Sequence, residues 1–242
     1  MRKKILPIFL LVAVCIAAFF SCKKVTISTA DVTRNYFPLQ LGKSVTYAVD
    51  STYYYGPPGT EYHVSMYMNY AITDTVTINK MVWYMMNISN SAYATGPWVP
   101  SSVVLMTISS DSLLYRQNQV QYIKMVFPVS NGLTWLGNTY AETQDSSFAY
   151  FANWNYIYRN AGLSYFNGDV MFDHTVTVVE DSENVNYQDV DSLVPGHLTY
   201  AKEVYANNVG MIYREITHYT FGPPDTVGNK NGYSVVMRAV EY

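Results

Sequence analysis

The chain has 242 residues, with 15 Lys+Arg against 18 Asp+Glu and a formal net charge of −3 at pH 7. That balance excludes a basic surface for nucleic acid, and the length is ample for one domain with its own core. Charged residues make up only 14% and Tyr numbers 24, a composition that suits pleated, half-buried strands rather than helices.

Arg2, Lys3 and Lys4 precede an uncharged apolar run from Ile5 to Phe20, which Ser21-Cys22 closes and Lys23-Lys24 follow. A membrane-crossing helix needs roughly 20 apolar residues, so the run is short for one and matches a signal-peptide core. A small residue directly before Cys at the end of such a core resembles the lipobox of bacterial lipoproteins, although Phe19 and Phe20 replace the Leu and small residue usual there. The resemblance implies a leader over 1–21, cleavage before Cys22, and acylation of Cys22, the lipid attachment residue. Cys15 would leave with the leader, and an acylated Cys22 forms no disulfide, so the exported domain must stand on its packed core. Removing Arg2, Lys3 and Lys4 leaves 12 Lys+Arg against 18 Asp+Glu, a net charge of −6. Residues 22–35 lack strong periodicity and read as the lipidated Cys and a tether.

From Tyr36 onward the period is two, and 36–242 reads as one all-β domain. Val45, Tyr47 and Val49 alternate with Ser44, Thr46 and Asp50 over a strand at 44–55. In 61–78, Tyr62, Val64, Met66, Met68, Tyr70, Ile72, Val76 and Ile78 share one parity. That run exceeds a usual strand, so a bend or bulge is expected near Asp74. YGPPGTE between the two runs supplies turn residues for a hairpin. The run 80–88, KMVWYMMNI, is apolar at both parities, so a second layer covers it or it lines an apolar cavity. Further strands are expected at 102–109, 112–117, 119–127, 154–159, 170–180, 199–206, 211–221 and 233–241, with a single helical turn at most over 145–153. The expected fold is a curved antiparallel sheet, a half-barrel of the lipoprotein-carrier type, with a closed barrel or a sandwich as alternatives.

Two stretches share a pattern: FPLQLGKSV at 37–45 and FPVSNGLTW at 127–135. Pro38 and Pro128 cannot donate to a ladder, and Gly42 and Gly132 permit positive φ before the alternation restarts. Each reads as a corner that feeds a strand, with Phe as anchor. Nothing beyond the motif agrees at the same offset, so no repeat architecture is expected.

YFPLQLGKSVTY, IKMVFPVSNGLTWLGN, FDHTVTV and KEVYANNVGMIYRE occur in that order. Together they resemble a family of Gram-negative lipoproteins with a YFPL-x-x-G-x-x-W-x-Y opening and a late E-x-YA-x-x-VG-x-x-YRE segment. Val45 stands where the opening motif usually has Trp. The resemblance implies an exported β domain and brings no catalytic residue with it.

In KEVYANNVGMIYRE, Asn207, Asn208 and Gly210 are turn formers. With NNVG as the loop, Ala206 pairs with Met211, Tyr205 with Ile212, Val204 with Tyr213 and Glu203 with Arg214. The last pair reads as a cross-strand ion pair on the surface rather than as a catalytic carboxylate. His174 shares parity with Phe172, Val176 and Val178 and reads as partly buried. No HExxH, GxSxG, P-loop or Ser-x-x-Lys motif is present, and the acidic run 180–192 lacks the Asp spacing of a calcium loop.

The chain therefore reads as a lipoprotein anchored by its lipid to the periplasmic face of the outer membrane, or displayed at the cell surface, without a cofactor, metal centre or nucleic-acid partner. Its expected role is binding, of an apolar or amphipathic ligand or of a glycan or envelope protein, with Trp83, Met85, Trp135 and Trp154 as candidate ligand contacts. A structural role in a membrane complex is one alternative. An envelope glycan hydrolase is another, and would need two carboxylates or a nucleophile–base pair brought together by the fold.

Overall fold

The computed structural model describes residues 34–57, 60–118, 120–141, 154–185, 195–221 and 229–242. The leader, Cys22 and the tether up to residue 33 lie outside the described residues. So do the 145–153 segment and the acidic run from residue 186 onward.

Twelve strands form: β1 (Ser44–Gly56), β2 (Tyr62–Ile78), β3 (Met81–Ser91), β4 (Val99–Ile108), β5 (Ser112–Gln117), β6 (Val120–Val126), β7 (Thr134–Leu136), β8 (Asn155–Phe166), β9 (Met171–Val185), β10 (Gly196–Ala206), β11 (Gly210–Phe221) and β12 (Lys230–Glu241). They make one antiparallel sheet in the order β6-β5-β4-β3-β2-β1-β12-β11-β10-β9-β8-β7. Two six-stranded meanders, β1–β6 and β7–β12, thus join where β1 pairs with β12, from Thr46↔Glu241 to Gly56↔Lys230. The expected curved antiparallel sheet is present, wrapped nearly into a closed barrel. The handed twist of each strand coils a long sheet until its edges approach each other.

The two edges meet through a few directed bonds rather than a ladder. Ile123 N–H donates to the carbonyl of Gly137 at 2.9 Å. The indole Nε1–H of Trp135 donates to the Ile123 carbonyl at 2.8 Å. Tyr158 Oη accepts from Val126 N–H and donates to the Val126 carbonyl, both at 2.9 Å. Aromatic side chains therefore close the seam where backbone pairing is short.

Both Phe-Pro stretches build the same corner. Gly42 and Gly132 each have φ +82°. Gly42 N–H donates to Ile72 O and Gly132 N–H to Tyr158 O, at 2.8 and 2.9 Å. Lys43 N–H donates to Gln40 O and Leu133 N–H to Ser130 O, at 3.2 and 3.1 Å. One corner feeds β1, the other feeds β7, and each opens one meander.

Period two sets the faces, and bulges reset it. Val45, Tyr47 and Val49 point inward with Met66, Met68 and Tyr70 opposite them. The register shifts between Ile72 and Asp74, where the bend was expected. Beyond it Val76 pairs with Trp83 and is 36% exposed, so it has left the inner face. A second shift, between Arg159 and Leu163, brings Asn160 and Gly162 to φ 54° and 84°. The alternation in β8 stops there, which is why sequence periodicity ended that strand at 159 while it runs to Phe166. His174 is exposed at φ 51°, not partly buried as its parity suggested, because a bulge turns it out of the Phe172/Val176 face.

The β10–β11 hairpin pairs Val204 with Tyr213 and Glu203 with Arg214. Nearer the tip the sequence register fails by one: Tyr205 pairs with Met211 and Ala206 with Gly210, because a bulge at Val204/Tyr205 shortens the loop to Asn207–Val209.

Candidate functional site

The inner face of β6, β9, β10 and β11 carries four charges in otherwise apolar positions. Each belongs to the buried parity of its strand: Lys124 follows Tyr122, Glu180 follows Val176 and Val178, Glu203 lies between Ala201 and Tyr205, and Arg214 lies between Ile212 and Ile216. The barrel brings them together across its interior. Lys124 Nζ donates to Glu180 Oε1 at 2.5 Å and to Glu203 Oε1 at 2.8 Å. Tyr205 Oη donates to the second oxygen of Glu203. Arg214 Nε stands 3.5 Å from Glu203 Oε1. Glu180 and Glu203 are each 2% exposed, so this is a buried ionic layer and not the surface ion pair expected of Glu203–Arg214.

Burying four charges is costly, and only mutual pairing with satisfied hydrogen bonds offsets the lost hydration. Burial alone would raise the Glu203 carboxyl, but Lys124, Arg214 and its hydrogen bonds outweigh burial and hold it below the usual carboxylate range. Glu180 moves the other way, raised first by burial and then by the neighbouring Glu203 charge, with Lys124 offsetting only part. Burial would also lower Lys124, yet the two carboxylates keep its ammonium protonated above the ordinary lysine range. Phenols surround the layer. Burial raises Tyr47, Tyr70, Tyr115, Tyr156 and Tyr205, so all five are neutral hydroxyls at physiological pH. Tyr47 Oη donates to Met211 O at 2.9 Å and Tyr156 Oη to Asn138 Oδ1 at 2.8 Å.

The ionic layer divides the interior. On the side of the first Phe-Pro corner lies a small void of about 50 Å³ between Phe37, Val45, Ile72, Met86 and Met211. On the other side a cleft of about 420 Å³ runs up to Tyr53 and Tyr233. Tyr70, Tyr115, Lys124 and Arg214 border both spaces. The walls of the larger cleft are Val49, Met66, Met68, Ile216, Val235 and Met237, with Trp154 at one side. Met66, Met68, Tyr70, Tyr115 and Val235 are only half-buried although they face inward, because the interior at this level is not filled.

The four sequence-chosen contacts separate. Trp154 is 4% exposed and lines the cleft. Trp135 stands at the seam, its ring 4.5 Å from Tyr158 and 5.6 Å from Tyr156. Trp83 and Met85 lie on the face of β3 opposite the inward Met86 and Ile88, and the Arg116 guanidinium covers Trp83 at 4.9 Å. Cys22 lies outside the described residues. Neighbours in sequence thus part company, since Met85 and Met86 occupy opposite faces of one strand. The charges that sequence reasoning passed over carried a usable signal: a Lys, Arg or Glu at the apolar parity of a strand has to be paired.

Among the described residues, no group of three or more His, Cys, Asp or Glu side chains is placed to hold a metal ion. His197 lies 3.1 Å from Glu183, and His218 Nδ1 bonds Thr199 Oγ1 at 2.8 Å.

No family model matches the chain, and no curated protein matches it. Among solved structures, it is similar to a candidate exported protein with a YmcC-like fold from Bacteroides fragilis. That match has 12% identity and a TM-score of 0.25, covering 85% of this chain and 98% of that one. It is also similar to a candidate lipoprotein from Parabacteroides distasonis, at 11% identity and a TM-score of 0.25, covering 84% and 96%. Likenesses this distant assign neither activity nor ligand.

Proposed function

We propose that the protein is a non-enzymatic lipoprotein, held by Cys22 at the periplasmic face of the outer membrane, whose barrel binds an amphipathic molecule. The observation that supports this reading is the 420 Å³ cleft itself: methionine and aliphatic walls above a floor of buried charges and neutral phenols. Ligand sites take this form, mostly apolar with a few convergent polar groups. Unbranched thioether side chains such as Met66, Met68 and Met237 adapt to a flexible chain. The leader and Ser21-Cys22 supply the envelope location and the membrane attachment.

Native mass spectrometry tests the reading on the chain from Lys23 onward, which contains every described strand. Protein prepared from cell extract is expected to carry a non-covalent adduct of lipid-like mass, lost on organic extraction. Uniformly unliganded protein that also fails to take up added single-chain amphiphiles would overturn it.

Glycan hydrolysis is the second reading, favoured by one observation. Glu180 and Glu203 bond to the same ammonium, which places them at a separation compatible with two-carboxylate chemistry, and their carboxyls shift in opposite directions. Against it, both are held on Lys124 at 2% exposure, and Glu203 lines the 50 Å³ void, too small for a sugar ring, and not the larger cleft. Release of reducing sugar from envelope glycans, abolished in Glu180→Gln, would decide for it.

A further inference from the structure

We propose that the ligand is a single-chain amphiphile with an anionic head group, carboxylate or phosphate, received by the Arg214 guanidinium at the floor of the cleft. This rests on the amphiphile reading above and names the ligand's charge. Of the four charges in the layer, three are hydrogen-bonded within it. Lys124 donates to two carboxylates, and Glu203 accepts from Lys124 and Tyr205. Glu180 is held on Lys124 at 2.5 Å. Arg214 is the exception. Its Nε is buried on the Glu203 side without a hydrogen bond, its contact to Glu203 is a 3.5 Å approach, and the side chain as a whole is 29% exposed against 9% for Lys124. Arg214 lines the cleft.

A guanidinium presents a planar fork of donors that matches a carboxylate or phosphate, so one with free donors in a low-dielectric space is a receptor for such a group. Tyr70 borders the same floor and stays neutral, able to donate without competing for the cation, whereas Tyr115 Oη already donates to Gln117 Oε1 at 3.3 Å. The apolar wall starts at once beyond it: Met237 is the cross-strand partner of Arg214, and Val235 is the partner of Ile216. A head group on Arg214 therefore sends its chain along Ile216, Val235 and Met66 toward Tyr53. Among the described residues that line this cleft, Glu180 is the one acidic group. Its charge is engaged by Lys124 and does not face an arriving anion unopposed.

The test compares a brominated long-chain fatty acid with the uncharged alcohol of the same chain, each titrated into the protein with Trp fluorescence quenching as readout. The acid is expected to bind about 10-fold or more tightly than the alcohol, the usual scale for a charge-assisted hydrogen bond in a sheltered site. Arg214→Gln should remove that preference, so that acid and alcohol bind alike. Arg214→Lys, which keeps the charge but not the fork, should retain part of it. Equal affinities in the wild-type protein would overturn the anionic assignment while leaving the apolar cleft standing, and so would a preference that survives in Arg214→Gln. Failure of both ligands to bind would overturn both readings. Should Arg214→Gln not fold, the wild-type comparison and Arg214→Lys still decide.

Discussion

The Lys124 ammonium lies 2.8 Å from the Glu203 carboxylate, and this contact spans the barrel interior from β6, one edge of the sheet, to β10, three strands from the other edge. A single side chain on a short edge strand thereby ties both meanders together. It also sets the floor of the cleft.

Removing that ammonium leaves two buried carboxylates without their shared partner. Lys124→Met should cost about 3–5 kcal/mol, the usual scale for breaking a buried ion pair. Lys124→Met combined with Glu180→Leu should recover part of the loss. Urea unfolding checks both, and a loss under 1 kcal/mol for Lys124→Met would mean the layer is not closed to water.

The acid limb of stability carries a sign. Glu203 has its carboxyl lowered in the fold, so its contribution is full above the unfolded value of 4.5 and is lost as pH falls through the folded one. Replacing Glu203 by Gln should lower stability at pH 7 and flatten its decline below pH 4.5. A thermal melt series over pH 2–7 measures this; an unchanged acid slope would contradict the pairing.

Asp181 acts oppositely. Burial raises its carboxyl from 3.8 to about 6, and its Oδ2 is buried without a hydrogen bond. The folded state then takes up a proton more readily than the unfolded chain, so the residue weakens the fold increasingly as pH rises from 3.8 through 6. Asp181→Asn should raise the melting temperature at pH 7.5, with the gain fading toward pH 4. A gain of the same size at both pH values would contradict this.

Two glycines are fixed by space. A Cβ on Gly137 would fall 2.4 Å from the Tyr156 ring, and one on Gly232 would fall 2.1 Å from the His218 carbonyl oxygen at φ +148°. Gly137→Ala should cost about 1–3 kcal/mol through overpacking beside the seam. At Gly232 the obstacle is backbone and the conformation is strained as well, so Gly232→Ala should cost more than Gly137→Ala. Denaturant midpoints for the two variants test the order.

The seam makes a separate prediction. Trp135→Phe deletes the indole bond to Ile123 O but keeps an aromatic ring beside Tyr158. Stability should fall by about 1 kcal/mol, with amide exchange accelerated at Ile123, whose N–H bridges to Gly137 O. Unchanged exchange at Ile123 would show that the seam does not depend on this bond.

Much of this architecture is legible in the chain because a period of two is a local property. The inward sets of β1 and β2, the bulge near Asp74, the paired corners at Gly42 and Gly132, and the Glu203–Arg214 register all follow from alternation and turn chemistry within a few residues. What local patterning misses is the pairing of distant strands. Lys124 and Glu180 are 56 positions apart and meet only because the sheet curls. Likewise β7 is three residues long, too short for alternation to register, yet it forms one side of the seam. The methionine-rich stretch around Trp83 misled for a physical reason: a strand apolar at both parities does not say which face looks inward. Trp83 and Met85 went to the outer face, while Met86 lines the small void.

The most direct test of the binding account uses the tryptophan already in the cleft. Titrating the chain from Lys23 onward with a brominated single-chain alcohol should quench fluorescence saturably, and Trp154→Phe should abolish most of that quenching while Trp135→Phe does not. Quenching that is absent, or that persists undiminished in Trp154→Phe, would contradict an amphiphile in the 420 Å³ cleft.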